Sequence, residues 1–165
     1  MGKATLAFAA TMALTGWGCA ATTTTGTTGI GANPRLTSAS VTFMTRGDGK
    51  DEDSAVAVQI LNDGRLAAEG SVVDVDFDDQ SVSAPLSLGL TGPLDSGDLD
   101  DAQVRIRLTP DGRDTWVFDM RLTLGLSNGT QRSYFWSELR LNESSPERIV
   151  ALVSGRLPVA HASDF

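Results

Sequence analysis

From Ser38 onward the chain alternates apolar and polar residues with a period of two. Val41 and Phe43 share one face of "SVTFMT", and Val56, Val58 and Ile60 share one face of "AVAVQIL". Val73, Val75 and Phe77 alternate with Asp74 and Asp76, and Leu86, Leu88 and Leu90 recur in "APLSLGL". Val104, Ile106 and Leu108 alternate with Arg105 and Arg107. Trp116, Phe118, Met120, Leu122, Leu124 and Leu126 make the longest such run, and "RSYFWSELRL" and "RIVALV" complete the series. Alternation of this kind is the pattern of a strand with one face buried, because successive side chains point to opposite sides of a sheet. Turn-forming residues separate the runs at Asn62-Asp63-Gly64, Pro110-Asp111-Gly112 and Ser127-Asn128-Gly129. The pattern predicts an all-β domain, an antiparallel β-sandwich of about eight strands over residues 38–153. The core is expected at Val41, Val56, Val58, Val75, Phe77, Ile106, Trp116, Phe118 and Leu122. One turn of helix is expected in "GPLDSGDLDDA", with Leu94 and Leu99 pinning the connection.

The first 37 residues follow no such period. Lys3 is followed by an uncharged apolar stretch, Ala4 to Leu14, of the length of a signal-peptide core and too short to span a bilayer. Small residues come next, and then Cys19, the one cysteine in the chain. Residues 20–34 are almost all Thr, Gly and Ala, a composition that builds no core and suits a flexible tether. This stretch resembles a bacterial lipoprotein signal, and Cys19 carries the resemblance. In that family the cysteine receives a diacylglyceryl group and becomes the new N-terminus. The resemblance implies residues 1–18 as signal peptide, lipidation at Cys19, and residues 19–37 as a tether. The protein would then sit in the cell envelope, outside the cytoplasm. Cleavage after Ala20 is the alternative and would release a secreted protein. Residues 154–165 read as a C-terminal tail.

The 165-residue chain is 41% hydrophobic, enough for one folded domain. Its formal net charge is −8, and Lys3 and Lys50 are its only lysines. That balance argues against nucleic-acid binding, which needs a basic footprint. One cysteine and one histidine, His161, leave no Cys-based metal site and no His-based nucleophilic constellation. The protein therefore reads as non-catalytic.

Carboxylates cluster. Asp48, Asp51, Glu52 and Asp53 follow the first run; Asp74, Asp76, Asp78 and Asp79 lie in and after the third; Asp95, Asp98, Asp100 and Asp101 form another group; Asp111 and Asp114 flank a turn. Calcium takes six to eight oxygen ligands, which loops with closely spaced Asp can supply. Loops of a sandwich gather at its two ends, so the first, second and fourth groups are expected to converge. Calcium is the cofactor this suggests, with Asp48, Asp51, Asp53, Asp78, Asp79 and Asp111 as ligands. The alternative is that each acid only faces water.

The order "VTFMTRGDGKDEDSAVAVQIL", then "FDD", then "VRIRLTPDGRDTWVFDMRLTL" is similar to PLAT domains, eight-stranded sandwiches related in architecture to C2 domains. The resemblance covers about residues 38–153. It implies binding of lipids or proteins, with calcium held through the first loop in some members; by position Asp48, Asp51, Asp53, Asp79 and Asp111 match. The expected function is a membrane-tethered binding module for an extracytoplasmic lipid, glycan or protein ligand, with a structural envelope lipoprotein as the alternative. Tyr134, Phe135 and Trp136 are candidate ligand-binding aromatics, because neighbours on a strand face opposite sides and at least one of the three must face outward. Arg46-Gly47-Asp48 spells an adhesion tripeptide, and Asn128-Gly129-Thr130 and Asn142-Glu143-Ser144 spell glycosylation sequons.

Overall fold

A computed structural model describes residues 33–47, 54–73, 77–110 and 115–155. The expected signal peptide, Cys19 and most of the expected tether lie outside the described residues. So do Asp48, Asp51, Asp53, Val75, Asp111 and residues 156–165.

The described chain is all-β. Eight strands form one antiparallel sheet: β1 (Leu36–Thr45), β2 (Ala55–Asn62), β3 (Arg65–Val72), β4 (Leu86–Leu90), β5 (Gln103–Thr109), β6 (Trp116–Leu126), β7 (Gln131–Leu141) and β8 (Glu147–Ala151). Their order is β7-β6-β1-β4-β3-β2-β5-β8, and the sheet curls until it is nearly closed. Strand β4 is the hinge between the two layers. Its first half pairs with β1 (Ala39↔Leu88, Val41↔Leu86) and its last two residues pair with β3 (Glu69↔Gly89, Ala68↔Leu90). The chains run so close at this corner that a Cβ on Gly70 would stand 2.8 Å from the carbonyl oxygen of Ser87. Glycine is the residue that admits such an approach. The turn from one layer to the other also leaves Leu90 exposed, while Leu88 is buried.

The period-two reading locates the core. Val41, Val56, Val58, Phe77, Ile106, Trp116, Phe118 and Leu122 are all buried, and so are all six alternate residues of β6. Rings of Phe43, Phe77, Trp116 and Phe118 pack into one cluster, with Trp116 stacked on Phe118 at 3.8 Å between centroids. Strand β1 begins at Leu36, and a register shift between Leu36 and Ser38 puts both Thr37 and Ser38 outside before the alternation resumes at Ala39.

The third strand differs from the sequence expectation. It is Arg65–Val72, whereas the strongest alternation lies at Val73 to Phe77. Asp63 (φ 50°) and Gly64 (φ 73°) both take the left-handed conformation of a two-residue hairpin turn. That turn folds the next eight residues directly back on β2, from Asn62↔Arg65 to Val56↔Val72. Local turn geometry thus outranks apolar pattern, and Val73 ends up 62% exposed. Phe77 alone of that run is described as buried, under the aromatic cluster.

Two 3₁₀ turns complete the domain. The expected helical turn is η1 (Asp98–Asp100), and a second, η2 (Leu152–Gly155), follows β8. Leu94 and Leu99 are buried as pins of the β4–β5 connection, and Leu152 is buried beside them. The outer strands β7 and β8 share no ladder. Instead η2 fills the seam between them: Trp136 Nε1 donates to Ser154 Oγ (3.1 Å), and Leu152 N–H donates to the Ala102 carbonyl (2.9 Å).

Candidate functional site

The two ends of the sandwich differ in what they carry. At one end lie the β1–β2, β3–β4 and β5–β6 connections and the tight β7–β8 turn. At the other lie the entering chain at Asn33, the β2–β3 and β6–β7 turns, η1 and η2. The connections that carry three of the four acidic groups in the sequence have their described ends at the first, which is called the loop end below. The Asp95–Asp101 group belongs to the second, the entry end.

The roots of the three acid-bearing loops are tied to one another. Thr45 N–H, at the start of the first loop, donates to the Ser81 carbonyl at the close of the second (2.9 Å). Arg46 N–H donates to the Val117 carbonyl just past the third (2.7 Å). Ala55, where the first loop ends, pairs with Thr109, where the third begins, and Val56 pairs with Val72, before the second. The side chains below the loops are buried and bonded: Trp116 Nε1 donates to Thr45 Oγ1 (3.2 Å), and both residues are shielded from solvent. Phe77 anchors the second loop from beneath.

Of the six candidate cation ligands, Asp78 and Asp79 are described. Both are exposed, at the start of a turn in which Ser81 donates from its amide (3.2 Å) and its hydroxyl (2.7 Å) to the Asp78 carbonyl. Gln80, inside the turn, has a left-handed φ of 54°. Asp48, Asp51, Asp53 and Asp111 lie outside the described residues. Among the described residues no three His, Cys, Asp or Glu side chains come together as a metal-binding group.

The aromatic trio divides by strand parity. Tyr134 and Trp136 face the interior, 1% and 7% exposed, and stack with centroids 6.2 Å apart. They pair across to Leu122 and Met120, which are core residues. Phe135 lies between them on the outer face, half-buried opposite Arg121. Trp116 is likewise a core residue. One aromatic ring of the four, that of Phe135, is therefore placed on the outside.

A charged cluster at the loop end was not visible as such in the sequence. Asp119 is the only buried carboxylate among the described residues, and it lies on the outer side of β6. Its Oδ1 accepts the Glu138 amide (2.9 Å) and its Oδ2 holds Arg46 Nη2 (2.7 Å). Arg46 Nη1 also stands 3.8 Å from Glu138 Oε1. The hydrogen bond to Asp119, and then its charge, raise the pKa of Arg46 above its ordinary value. Glu138 has a φ of 55° and sits in a β-bulge: two steps along β6, from Phe118 to Met120, oppose three along β7, from Leu139 to Trp136. Asp119 thus ties β6, the bulge and the root of the β1–β2 loop together. A trace of this is present in the sequence. The apolar phase of β7 runs Tyr134, Trp136 and then Leu139, Leu141, slipping by one residue across Ser137-Glu138.

With both oxygens of Asp119 engaged, the cluster is built to hold structure rather than to move protons. Arg46, the first residue of the Arg-Gly-Asp tripeptide, is committed to that carboxylate. No helix among the described residues is long and apolar enough to cross a membrane. The chain matches no protein-family model and no curated protein.

Proposed function

We propose that the chain is a non-catalytic extracytoplasmic binding module, tethered to a membrane through Cys19, whose acid-bearing loop end takes calcium and meets its ligand. One observation carries this reading: the roots of the three loops that bear Asp48, Asp51 and Asp53, then Asp78 and Asp79, then Asp111 are bonded to one another at a single end of the domain. Carboxylates brought near one another repel unless a cation stands between them. The entry point of the tether supports the same assignment. Ser96 N–H donates to the Pro34 carbonyl (2.8 Å) and Arg35 N–H to Ser127 Oγ (3.0 Å), so the chain joins the domain at the entry end. Ten residues of β1 separate that point from the loop end, about 33 Å of extended strand.

The test is thermal unfolding in calcium against sodium at matched ionic strength. An extracellular module binds calcium at roughly 0.1–1 mM, and a ligand at ten times its dissociation constant adds roughly 1.4 kcal/mol of stability. For a domain of this size that is about 2–8 °C in Tm. Calcium is expected to raise Tm by that amount, sodium by much less, and Asp79→Ala to erase the difference. Equal responses to the two salts would reduce the acids to solvated loops. Anchoring has its own readout: wild-type protein partitions into detergent, Cys19→Ala does not. Recovery of wild type from the medium with Ala21 at its N-terminus would mean that the protein is secreted.

A further inference from the structure

We propose that Asn128 is a deamidation site gated by the β6–β7 hairpin: primed by its neighbour Gly129, held unreactive while the turn is closed, and converted to Asp or isoAsp when the turn opens. The chain has four asparagines, at 33, 62, 128 and 142. Succinimide formation needs the following backbone nitrogen to reach the side-chain carbonyl carbon. Pro34 has no N–H, and Asp63 and Glu143 carry a Cβ that crowds the approach. Gly129 alone offers an unhindered nitrogen.

The chemistry closes without a cofactor. The Gly129 nitrogen attacks Asn128 Cγ and gives up its proton to solvent. The bond from Cγ to the side-chain nitrogen breaks, and ammonia leaves. Water then opens the five-membered imide at either carbonyl, giving Asp or isoAsp. Water is at hand, because residues 127–130 are all exposed.

In the closed hairpin the reacting groups are held elsewhere. Gly129 N–H donates to the Leu126 carbonyl (2.9 Å), and Leu126 N–H donates to the Thr130 carbonyl (2.9 Å). Asn128 Oδ1 accepts both the Thr130 amide (3.1 Å) and the Thr130 hydroxyl (2.7 Å). Gly129 sits at a φ of +79°, which fixes the turn. Ring closure requires the Asn128–Gly129 peptide to rotate out of this arrangement, so the reaction runs through the opened turn and its rate follows the opened population. The two products differ in consequence. Aspartate keeps an acceptor for Thr130 and leaves the turn intact, whereas isoaspartate inserts a carbon into the main chain and breaks the Leu126–Thr130 pairing that ends the hairpin.

The full chain, incubated at mildly alkaline pH with and without urea, supplies the test by peptide mapping at position 128. Folded protein is expected to deamidate at least about tenfold more slowly than unfolded protein. Thr130→Val, an exposed change that removes the hydroxyl donor, should speed the folded reaction and leave the unfolded one alone. Asn142 in the same samples is the internal control and should stay unmodified. Equal rates in folded and unfolded protein would overturn the gate. So would a slower reaction in folded Thr130→Val, because it would mean that the Thr130 donors promote attack by stabilising charge on Oδ1.

Discussion

The connections at the loop end and at the entry end both carry runs of aspartate in the sequence, and the described polar groups beside them are held differently. At the entry end the acids are short-range fittings. Asp98 Oδ2 accepts the Asp95 amide (3.2 Å), and Asp95 stands 3.6 Å from Arg35 Nε. They border a plug of buried Leu94, Leu99, Ala102 and Leu152, and Arg132 reaches across to the Ser96 carbonyl (3.3 Å). At the loop end the described polar groups beneath the loops are already satisfied by one another: Thr45 by Trp116, Asp119 by Arg46 and Glu138. The lesson is that a run of Asp does not mark a site. What matters is whether the fold ties the roots of several such loops together at one place.

The largest expected effect separates the two ends through their cores. Phe77→Ala should cost about 3–5 kcal/mol and Leu152→Ala about 2–5 kcal/mol. Phe77→Ala should also abolish the calcium response, because Phe77 anchors the second loop, while Leu152→Ala should leave it intact. Calorimetry with and without calcium reads both. If the two variants respond alike, the ends are not functionally distinct.

Asp119→Ala comes next, at about 1–3 kcal/mol, since it takes the acceptor from the part-buried Glu138 amide and removes the buried end of the pair with Arg46. Arg46→Ala should cost less than Asp119→Ala, because that side chain is 51% exposed and water screens the pair. Urea unfolding ranks the two, and the reverse order would make Arg46 rather than Asp119 the centre of the cluster.

Smaller again is the charge contrast. Asp98→Ala at the entry end should leave the difference between calcium and sodium unchanged at about 1.4 kcal/mol, whereas Asp79→Ala removes it. A loss in both variants would assign the calcium effect to general charge rather than to the loop end.

The smallest effect is expected at Tyr134. Its hydroxyl is buried with no hydrogen-bond partner, so Tyr134→Phe should be neutral or stabilising, by less than about 1 kcal/mol. Destabilisation by more than that would place a bound water beside the hydroxyl.

Legibility followed the range of the interaction. The alternation of β6 and β5 could be read directly, because burial of one sheet face acts on each strand separately. The η1 turn was legible from Leu94 and Leu99 for the same reason. The third strand lies outside the strongest apolar alternation because its residues, Arg65–Val72, include Ala67, Ala68 and Gly70 and look weak by themselves. They are held by the Asp63-Gly64 turn on one side and, at Gly70, by the close approach of β4 on the other. The aromatics at 134–136 could be read as a set with one outward member, but which member depended on the phase of β7 relative to β6.

By itself the sequence determined the class of the fold, the faces of most strands, the tight turns and the grouping of acids along the chain. These follow from period, residue size and backbone freedom, which act within a few residues. Only the tertiary structure decided that β4 bridges two layers, that η2 fills the seam between β7 and β8, and that Asp119 binds Arg46 and the bulge at Glu138. It also decided that the roots of three acid-bearing loops meet while the Asp95–Asp101 group sits at the opposite end. Each of these depends on strand order. Strand order is set by the packing of the whole core, and no local pattern encodes it.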